Sequence, residues 1–560
     1  MEQRDYHYYE AHAVDVNLEE ITSSAKNANI LQRLRDGDRA LDSIVLCSLR
    51  TTFNWLFVVE QIHLCRSLGF GLEFVIREDD NLGWLGYFIG KSDCLKQFRI
   101  DYLPEGEQQI HAFLGGIARS QCIRNIGVSS LSNDRFTSII RVLRNQSQLE
   151  GLTIDESHDV GPDAWSELRT PLESGVWKLK YLFLSRNNYF GNEGLNILSN
   201  GLRGIGSSLE TLRLYHNSIG NEGLLAVVEA LHTCTCLKHL DLSYNDFSSA
   251  ASGLGSLSDC LQLTPVTLDY LELRYCCINN EGLQELAKVS YQCKGLDLDG
   301  NHSISSSGLT YLATALQSES CCLENLYLFG MLVGDDSVEA LAAGLKGNQS
   351  LTCLHLLNPD SIDVSVTAAG WFALSAALCD TSSIKNTYDS NHILHDFWSE
   401  FWNGNDHIIA NNDEDVVVYL RLNEEHPQYT ARCKILMTHP HLHMQPLLQW
   451  GLNFLPLADA WFERAKPCTA LTIFDCDPDL RRRVLEESDE TFESRKLTTM
   501  YEFVRGMPME VMKRRKKLIE SVCDDNGEIA RIDERYRHAL EQRDKEIEQL
   551  QEEIRRLKGL

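Results

Sequence analysis

Along the middle of the chain, apolar and polar positions recur in the order L-x-x-L-x-L-x-x-N. The order is plainest in three successive copies: Leu179, Leu182, Leu184, Asn187, then Leu209, Leu212, Leu214, Asn217, then Leu237, Leu240, Leu242, Asn245. Weaker copies begin at Leu95, Ile123, Leu149, Leu268, Cys293, Leu323 and Leu351, which makes ten starts spaced by about 28 residues. The alternation inside each copy is that of a short strand. The second half of a repeat carries apolar residues at helical spacing, as in Gly223, Leu224, Val227, Val228 and Leu231. The segments Asn192–Leu195, Asn221–Leu224 and Asn280–Leu283 all spell N-E-G-L, so an acid and a glycine mark the turn into that helix. One strand and one helix per repeat, stacked, predict an α/β fold: a curved solenoid with parallel strands inside and helices outside. Degenerate copies are expected around Phe74 and Ile76 before the array and around Ile384 after it.

This pattern resembles the leucine-rich repeat family, specifically its ribonuclease-inhibitor-like class, whose repeats run near this length with a full helix outside. The resemblance covers about Leu72 to Asn391 and departs from the consensus at Cys276 and Met331, in the asparagine position, and at Cys293, in the first leucine position. It implies a fold and leaves the partner open. The expected division is an N-terminal segment and cap over 1–70, the solenoid over 71–391, a C-terminal cap over 392–412, a helical subdomain over 413–470, a charged linker and helix over 471–527 and a coiled coil over 528–560.

If the leucines point into the core, the third, fifth, seventh and eighth motif positions line the inner face of the sheet. There the sequence places Tyr181, Phe183, Arg213, Tyr215, Tyr244, Tyr270, Glu272, Arg274, Tyr275, Tyr327 and Phe329, interleaved with Arg186, Asp241, Asp297 and Asp299. An aromatic surface with charges of both signs is the composition of a protein-binding hot spot. The plainer alternative is cross-strand pairing of tyrosines on a wetted sheet.

Charge narrows the partner. Acids outnumber bases by 80 to 52, a formal net charge of -28 at pH 7. From residue 470 onward 22 acids meet 19 bases, so the first 469 residues carry about -25. Such a body argues against nucleic acid, whose affinity comes from basic side chains that displace counterions. Met1 to Glu20 has no basic-then-apolar leader, and the apolar stretch Thr51–Val59 is too short to span a bilayer, so no membrane is expected and a cytoplasmic location is. Eighteen cysteines are scattered along the chain, four of them (Cys94, Cys122, Cys236 and Cys322) at the one position preceding the first leucine of a repeat. That recurrence predicts reduced, buried thiols over disulfides.

Beyond the array, Phe397, Trp398, Phe401 and Trp402 read as a cap over the last repeat's apolar edge. The pattern turns helical from His426, with Pro427 at a first helical position. His439, His441 and His443 alternate in a proline-containing turn, but no Cys-x-x-Cys or paired carboxylate completes a metal site. Asp475, Asp477, Asp479 and Glu486 imitate a calcium loop whose required glycine is Leu480. Lys513–Lys517 is a basic run, either a solvated helix face or a nuclear import signal. From Glu528 onward a heptad register places Leu540, Ile547 and Ile554 at a and Tyr536, Leu550 and Leu557 at d, which favours a parallel two-stranded homodimer. No P-loop, G-x-S-x-G elbow, H-E-x-x-H or glycine-rich cofactor loop occurs, so neither catalysis nor a cofactor is expected. The leading expectation is a protein-binding scaffold. The alternative is a small-GTPase regulator, because the Ran GTPase-activating proteins resemble this array in repeat type and number.

Overall fold

The computed structural model describes residues 6–22, 24–48, 72–76, 82–104, 107–264, 267–331, 333–356, 366–397, 414–425 and 430–439. They divide into two compact units, Met1–Val333 with Leu354–Val364, and Gly334–Cys353 with Ser365–Leu560. Trp398, Phe401, Trp402, His441, His443, the acidic run at 475–486, Lys513–Lys517 and the heptads of 528–560 lie outside the described residues.

The first unit carries strands β1 (Ser43–Ser48), β2 (Leu72–Ile76), β3 (Gln97–Ile100), β4 (Asn125–Ser129), β5 (Gly151–Asp155), β6 (Tyr181–Ser185), β7 (Thr211–Arg213), β8 (His239–Asp241), β9 (Leu268–Glu272), β10 (Cys293–Asp297) and β11 (Asn325–Tyr327). Strand β12 (Cys353–His355) adds Leu354 and His355 to it. The sheet is open and parallel, and from β3 to β12 each strand lies beside its neighbours in sequence. Parallel neighbours need a crossover, and each repeat supplies it with a helix, such as Gly191–Ile205, Asn221–Leu231 and Ala251–Leu263. These ten strands fall on the ten motif starts. In register, Leu152, Leu182, Leu212, Leu240, Leu271 and Leu296 form one continuous row, all at most 1% exposed. A buried leucine contributes about 1.5–3 kcal/mol, so this row accounts for much of what holds one repeat to the next. The chain is an α/β leucine-rich repeat solenoid.

At the N-terminal end the spatial order departs from the sequence order. Phe74 and Ile76 do lie in a strand, β2, but β2 is the edge of the sheet, and β1 sits between it and β3. Leu41, Ile44 and Leu46, at most 1% exposed, repeat the L-x-x-L-x-L spacing, so β1 belongs to the same pattern in exchanged order. At the other end, Ile384 opens a short helix, Ile384–Tyr388, instead of a strand. Ser383 caps it by accepting from the Asn386 amide at 3.1 Å.

Two asparagine ladders explain the polar part of the motif. Asn187, Asn217, Asn245 and Asn301 are buried. Asn217 Oδ1 accepts from the Asn187 amide at 3.0 Å and Asn245 Oδ1 from the Asn217 amide at 3.1 Å, so each repeat's turn is satisfied by the next. Cys276 stands in for the missing member: its thiol donates to the Leu242 carbonyl at 3.3 Å, while its amide donates to Asn301 Oδ1 at 3.0 Å. The N-E-G-L asparagines form the second ladder. Asn192 Oδ1 accepts from the amides of Gly220 at 2.8 Å and Gly223 at 3.0 Å, capping the helix of the following repeat, and Asn221 does the same for Gly253 at 3.0 Å. A Cβ on Gly223 would lie 2.5 Å from Asn192 Oδ1, so the glycine of the motif is the seat for the preceding asparagine.

The shared cysteine position also has a structural role. Cys94, Cys236 and Cys322 donate to the carbonyls of Asp38, Ser207 and Ser290 at 3.3, 3.3 and 3.4 Å. Burial is not uniform: Cys94 is buried, Cys122 and Cys322 are half-buried and Cys236 is exposed, which corrects the expectation for that thiol. It lies on the rim of the repeat, where the following lysine reaches solvent.

The second unit contains the helices Asp335–Leu345, Ala368–Leu378, Ile384–Tyr388, Glu414–Glu425 and Thr430–Thr438. The first of its two C-terminal helices begins ahead of His426, where the sequence placed the change to helix. Phe397, 3% exposed, packs edge-on to Trp371 at 6.1 Å. Lys434 is wholly buried and donates to the carbonyls of Leu378 at 2.7 Å and Asn391 at 2.9 Å. Its Nζ thus closes the last turn of the helix Ala368–Leu378, and burial pushes the pKa of this amine down to about 7. His439 meets the Thr387 hydroxyl at 2.9 Å. Among the described residues no helix is long and apolar enough to cross a membrane.

Candidate functional site

From β4 to β11 the eighth motif position is where the strand leaves the sheet. Ser130, Glu156, Arg186, His216, Tyr244, Tyr275, Gly300 and Gly330 occupy it, and all are left-handed, with φ between 50° and 76°. Their amides continue the ladder across the turn: His216 donates to the Ser243 carbonyl at 2.9 Å, Tyr244 to Arg274 at 2.7 Å and Tyr275 to Asp299 at 2.7 Å. For a bulky residue this region costs about 1–2 kcal/mol, and the backbone bonds on both sides hold it there. At Tyr244 and Tyr275 this conformation brings the rings of two neighbouring repeats together.

A ladder of rings results. Tyr215 and Tyr244 lie 4.9 Å apart between centroids, Tyr244 and Tyr275 stack at 4.7 Å, and Tyr275 meets His302 edge-on at 6.3 Å. Gly300 leaves the space in which the Tyr275 ring lies, since a Cβ there would stand 2.4 Å from it. The Arg186 guanidinium lies 5.8 Å from the centre of the Tyr215 ring and closes the ladder at that end. Tyr244 is 36% exposed and Tyr275 42%, while Tyr215 is half-buried.

Below the ladder, the fifth and seventh positions are more enclosed than expected. Arg213 is buried instead of facing solvent: its Nε pairs with Asp241 Oδ2 at 2.9 Å, and its guanidinium lies 5.1 Å from the centre of Phe183. Arg274 Nε pairs with Asp297 Oδ2 at 2.6 Å and lies 3.8 Å from Glu272. Asp241 and Asp297 are buried as well, because the rings above them and the arginines beside them exclude water. Burial first, and the neighbouring Asp241 second, push the Glu272 carboxyl well above the usual carboxylate range. Asp297 is pushed the same way by burial and then by Asp299.

The remaining inner-face residues form smaller pairs. Tyr181 lies 6.3 Å from Phe183, Tyr270 stacks on His239 at 5.8 Å, and Tyr327 meets His355 edge-on at 4.8 Å. Phe329 is half-buried, and its amide donates to Asp299 at 2.7 Å. The structure therefore joins Tyr215, Tyr244 and Tyr275 with Arg186 into one feature and leaves Tyr181 with Phe183, Tyr270 with His239, Tyr327 with His355, and Phe329 outside it.

A charged row at the second motif position escaped the sequence reading. Arg124, Glu150, Lys180, Glu210, Lys238, Asp269, Lys294 and Glu324 alternate in sign without a break. Arg124 and Lys180 both pair with Glu150, at 2.6 and 2.9 Å, and Lys238 pairs with Glu210 at 2.7 Å. Lys294 reaches Glu324 at 3.7 Å and Asp269 at 4.0 Å. The residue after the first leucine of each copy was the available signal.

Comparison with known proteins agrees with the fold. A leucine-rich repeat family model matches residues 207–228, 233–250 and 265–287. Among similar proteins, NACHT, LRR and PYD domains-containing protein 4E of Mus musculus is 29% identical over 260 residues, covering 46% of this chain and 26% of its own length. Protein 12 of the same name series in Mus musculus is 35% identical over 199 residues, covering 35% of this chain and 18% of its own. Protein 5 of Homo sapiens is 30% identical over 211 residues, covering 37% and 17%. A chain in the crystal structure of the yeast Rad7 and Elc1 complex shares 15% identity at a TM-score of 0.28, over 61% of this chain and 92% of its own, too slight a likeness to argue from. The chain spans about a quarter or less of the length of the relatives it matches. It is a leucine-rich repeat protein.

Proposed function

We propose that this chain is a non-enzymatic scaffold of the ribonuclease-inhibitor-like kind that captures a protein partner on the inner face of its sheet. The observation that carries the reading is the Tyr215–Tyr244–Tyr275 ladder, which keeps two rings substantially exposed on a backbone held in a costly conformation. Aromatic residues on a rigid frame are the usual anchors of protein interfaces. The relatives carry LRR in their names, and a cytoplasmic binding role suits the acidic body. The heptads of 528–560 extend the reading to a homodimer that would gain avidity for a multivalent partner.

Affinity capture from the protein's own cell extract tests this, comparing the intact chain with a Tyr215→Ala, Tyr244→Ala, Tyr275→Ala variant. A truncated aromatic anchor costs about 2 kcal/mol or more of affinity, roughly thirtyfold, while lost stacking lowers stability by only about 0.5–1.5 kcal/mol per pair. Loss of the partner with the fold intact supports the proposal. Undiminished capture of every partner would move the binding surface elsewhere.

A further inference from the structure

We infer that the apolar segment Leu447–Ala465 of this same chain docks on the outward face of the helix Ala368–Leu378, with Phe372 at the centre of the contact. This goes beyond the proposed role of the inner face and does not depend on it.

The helix Ala368–Leu378 reads AAGWFALSAAL: it carries no charged residue, and Ser375 is its only hydroxyl. Trp371, Leu374, Ala377 and Leu378 are buried. On the other side Ala368, Ala369 and Phe372 are exposed and Ala373 and Ala376 half-buried, with Phe372 presenting 73% of its surface. A helix that is apolar all round belongs in an enclosed place. The helix Asp335–Leu345, which packs beside it, shows the ordinary arrangement instead, with Asp336 and Glu339 turned to solvent. A single exposed apolar side chain is common, but a phenylalanine set in a strip of alanines with no charge on its own helix is a surface that awaits cover.

Composition and reach name the occupant. Pro440 to Ala458 is a run of nineteen residues without Asp, Glu, Lys or Arg, and its Leu447, Trp450, Leu452, Phe454, Leu455 and Leu457 are apolar surface that gains by leaving water. The chain from residue 470 onward, with 22 acids and 19 bases, offers no comparable run. The run also starts close by. The helix Thr430–Thr438 leads out at His439, which meets the Thr387 hydroxyl at 2.9 Å. That helix packs against Glu414–Glu425, which in turn packs against Ala368–Leu378. Neighbouring helix axes lie about 8–10 Å apart, so two steps amount to about 20 Å. The eight residues from Pro440 to Leu447 can extend over about 26–29 Å, enough to bring Leu447 onto the face. A segment tethered this closely meets the face at a high effective concentration, which favours it over a second copy of the chain.

The test uses the full chain with the photoreactive p-benzoyl-phenylalanine in place of Phe372, prepared as a mixture of isotopically light and heavy protein and read by mass spectrometry after irradiation. Cross-links into Leu447–Ala465 whose two halves always carry the same label support the inference. Cross-links that join light to heavy halves overturn it, because the occupant is then a second copy. Cross-links confined to other segments, or none at all, overturn it outright. Hydrogen exchange supplies a second reading. In Phe372→Asp the amides of 447–465 should exchange at least about tenfold faster than in the parent, while those of Asp335–Leu345 keep their protection. Phe372→Leu, which keeps the face apolar, should hold the parent rates. Unchanged exchange in Phe372→Asp overturns the inference, and if Asp335–Leu345 also loses protection in that variant, the cross-link decides.

Discussion

At the second motif position, the residues from Arg124 to Glu324 alternate in sign, and each pairs with an opposite charge on an adjacent strand. At the fifth and seventh positions of β7 to β10, on the same strands, Asp241, Glu272 and Asp297 are crowded around Arg213 and Arg274 and largely shut off from water. Exposed pairs are screened and contribute little, so the alternating row keeps the rim neutral. Enclosed charges interact strongly, and any imbalance among them persists in the field above the sheet. The comparison teaches that ion pairs on one sheet do unlike work according to the depth at which they sit.

The largest expected effect lies in the enclosed set. Arg213→Ala leaves Asp241 buried without its cation and should cost about 3–5 kcal/mol, measured by urea unfolding. A loss below about 1 kcal/mol would mean the two rows are energetically alike.

The pH dependence of stability comes next. Glu272 and Asp297 have raised carboxyl pKa values, so the folded protein holds protons that the unfolded chain has already lost. Unfolding free energy from these groups is therefore greatest at or below the ordinary carboxylate range and falls as pH rises from there toward neutrality. Glu272→Gln should flatten part of that decline in unfolding measured at successive pH values. An unchanged slope would show that Glu272 titrates normally.

A smaller effect probes the strained turn. Tyr244→Gly should be more stable than Tyr244→Ala by about 1 kcal/mol, because both lose the ring but only glycine is at ease at φ 59°. The reverse order in thermal melts would show that the left-handed turn carries no cost. The smallest effect belongs to the rim, where Lys238→Met removes an exposed partner of Glu210 and should leave the melting temperature where it was. A clear drop would make the alternating row a structural element in its own right.

Much of the fold was legible because its signal is periodic. The apolar positions of β3 to β12 repeat in one pattern, and the N-E-G-L turn marks three of the helix starts. The exchange of β1 and β2 was not, since Leu41, Ile44 and Leu46 carry the right spacing and nothing local says which strand takes the edge. At the site, the positions of Tyr215, Tyr244 and Tyr275 followed from alternation. The left-handed conformation of Tyr244 and Tyr275 did not: only Gly300 and Gly330, at the same eighth motif position, hinted at it. The burial of Arg213 was likewise invisible, because it depends on Phe183 and Asp241 in the two flanking repeats. Sequence pattern gives direction, whereas enclosure is decided by neighbours about 28 residues away.

The alternating row has a parity. Excising the single repeat that begins at Leu209 would remove Glu210 and set Lys180 beside Lys238, like against like. Excising it together with the next would set Lys180 beside Asp269, and the alternation would close again. An array wired in this way keeps the alternation of its rim when it is lengthened or shortened by two repeats and breaks it when the change is one.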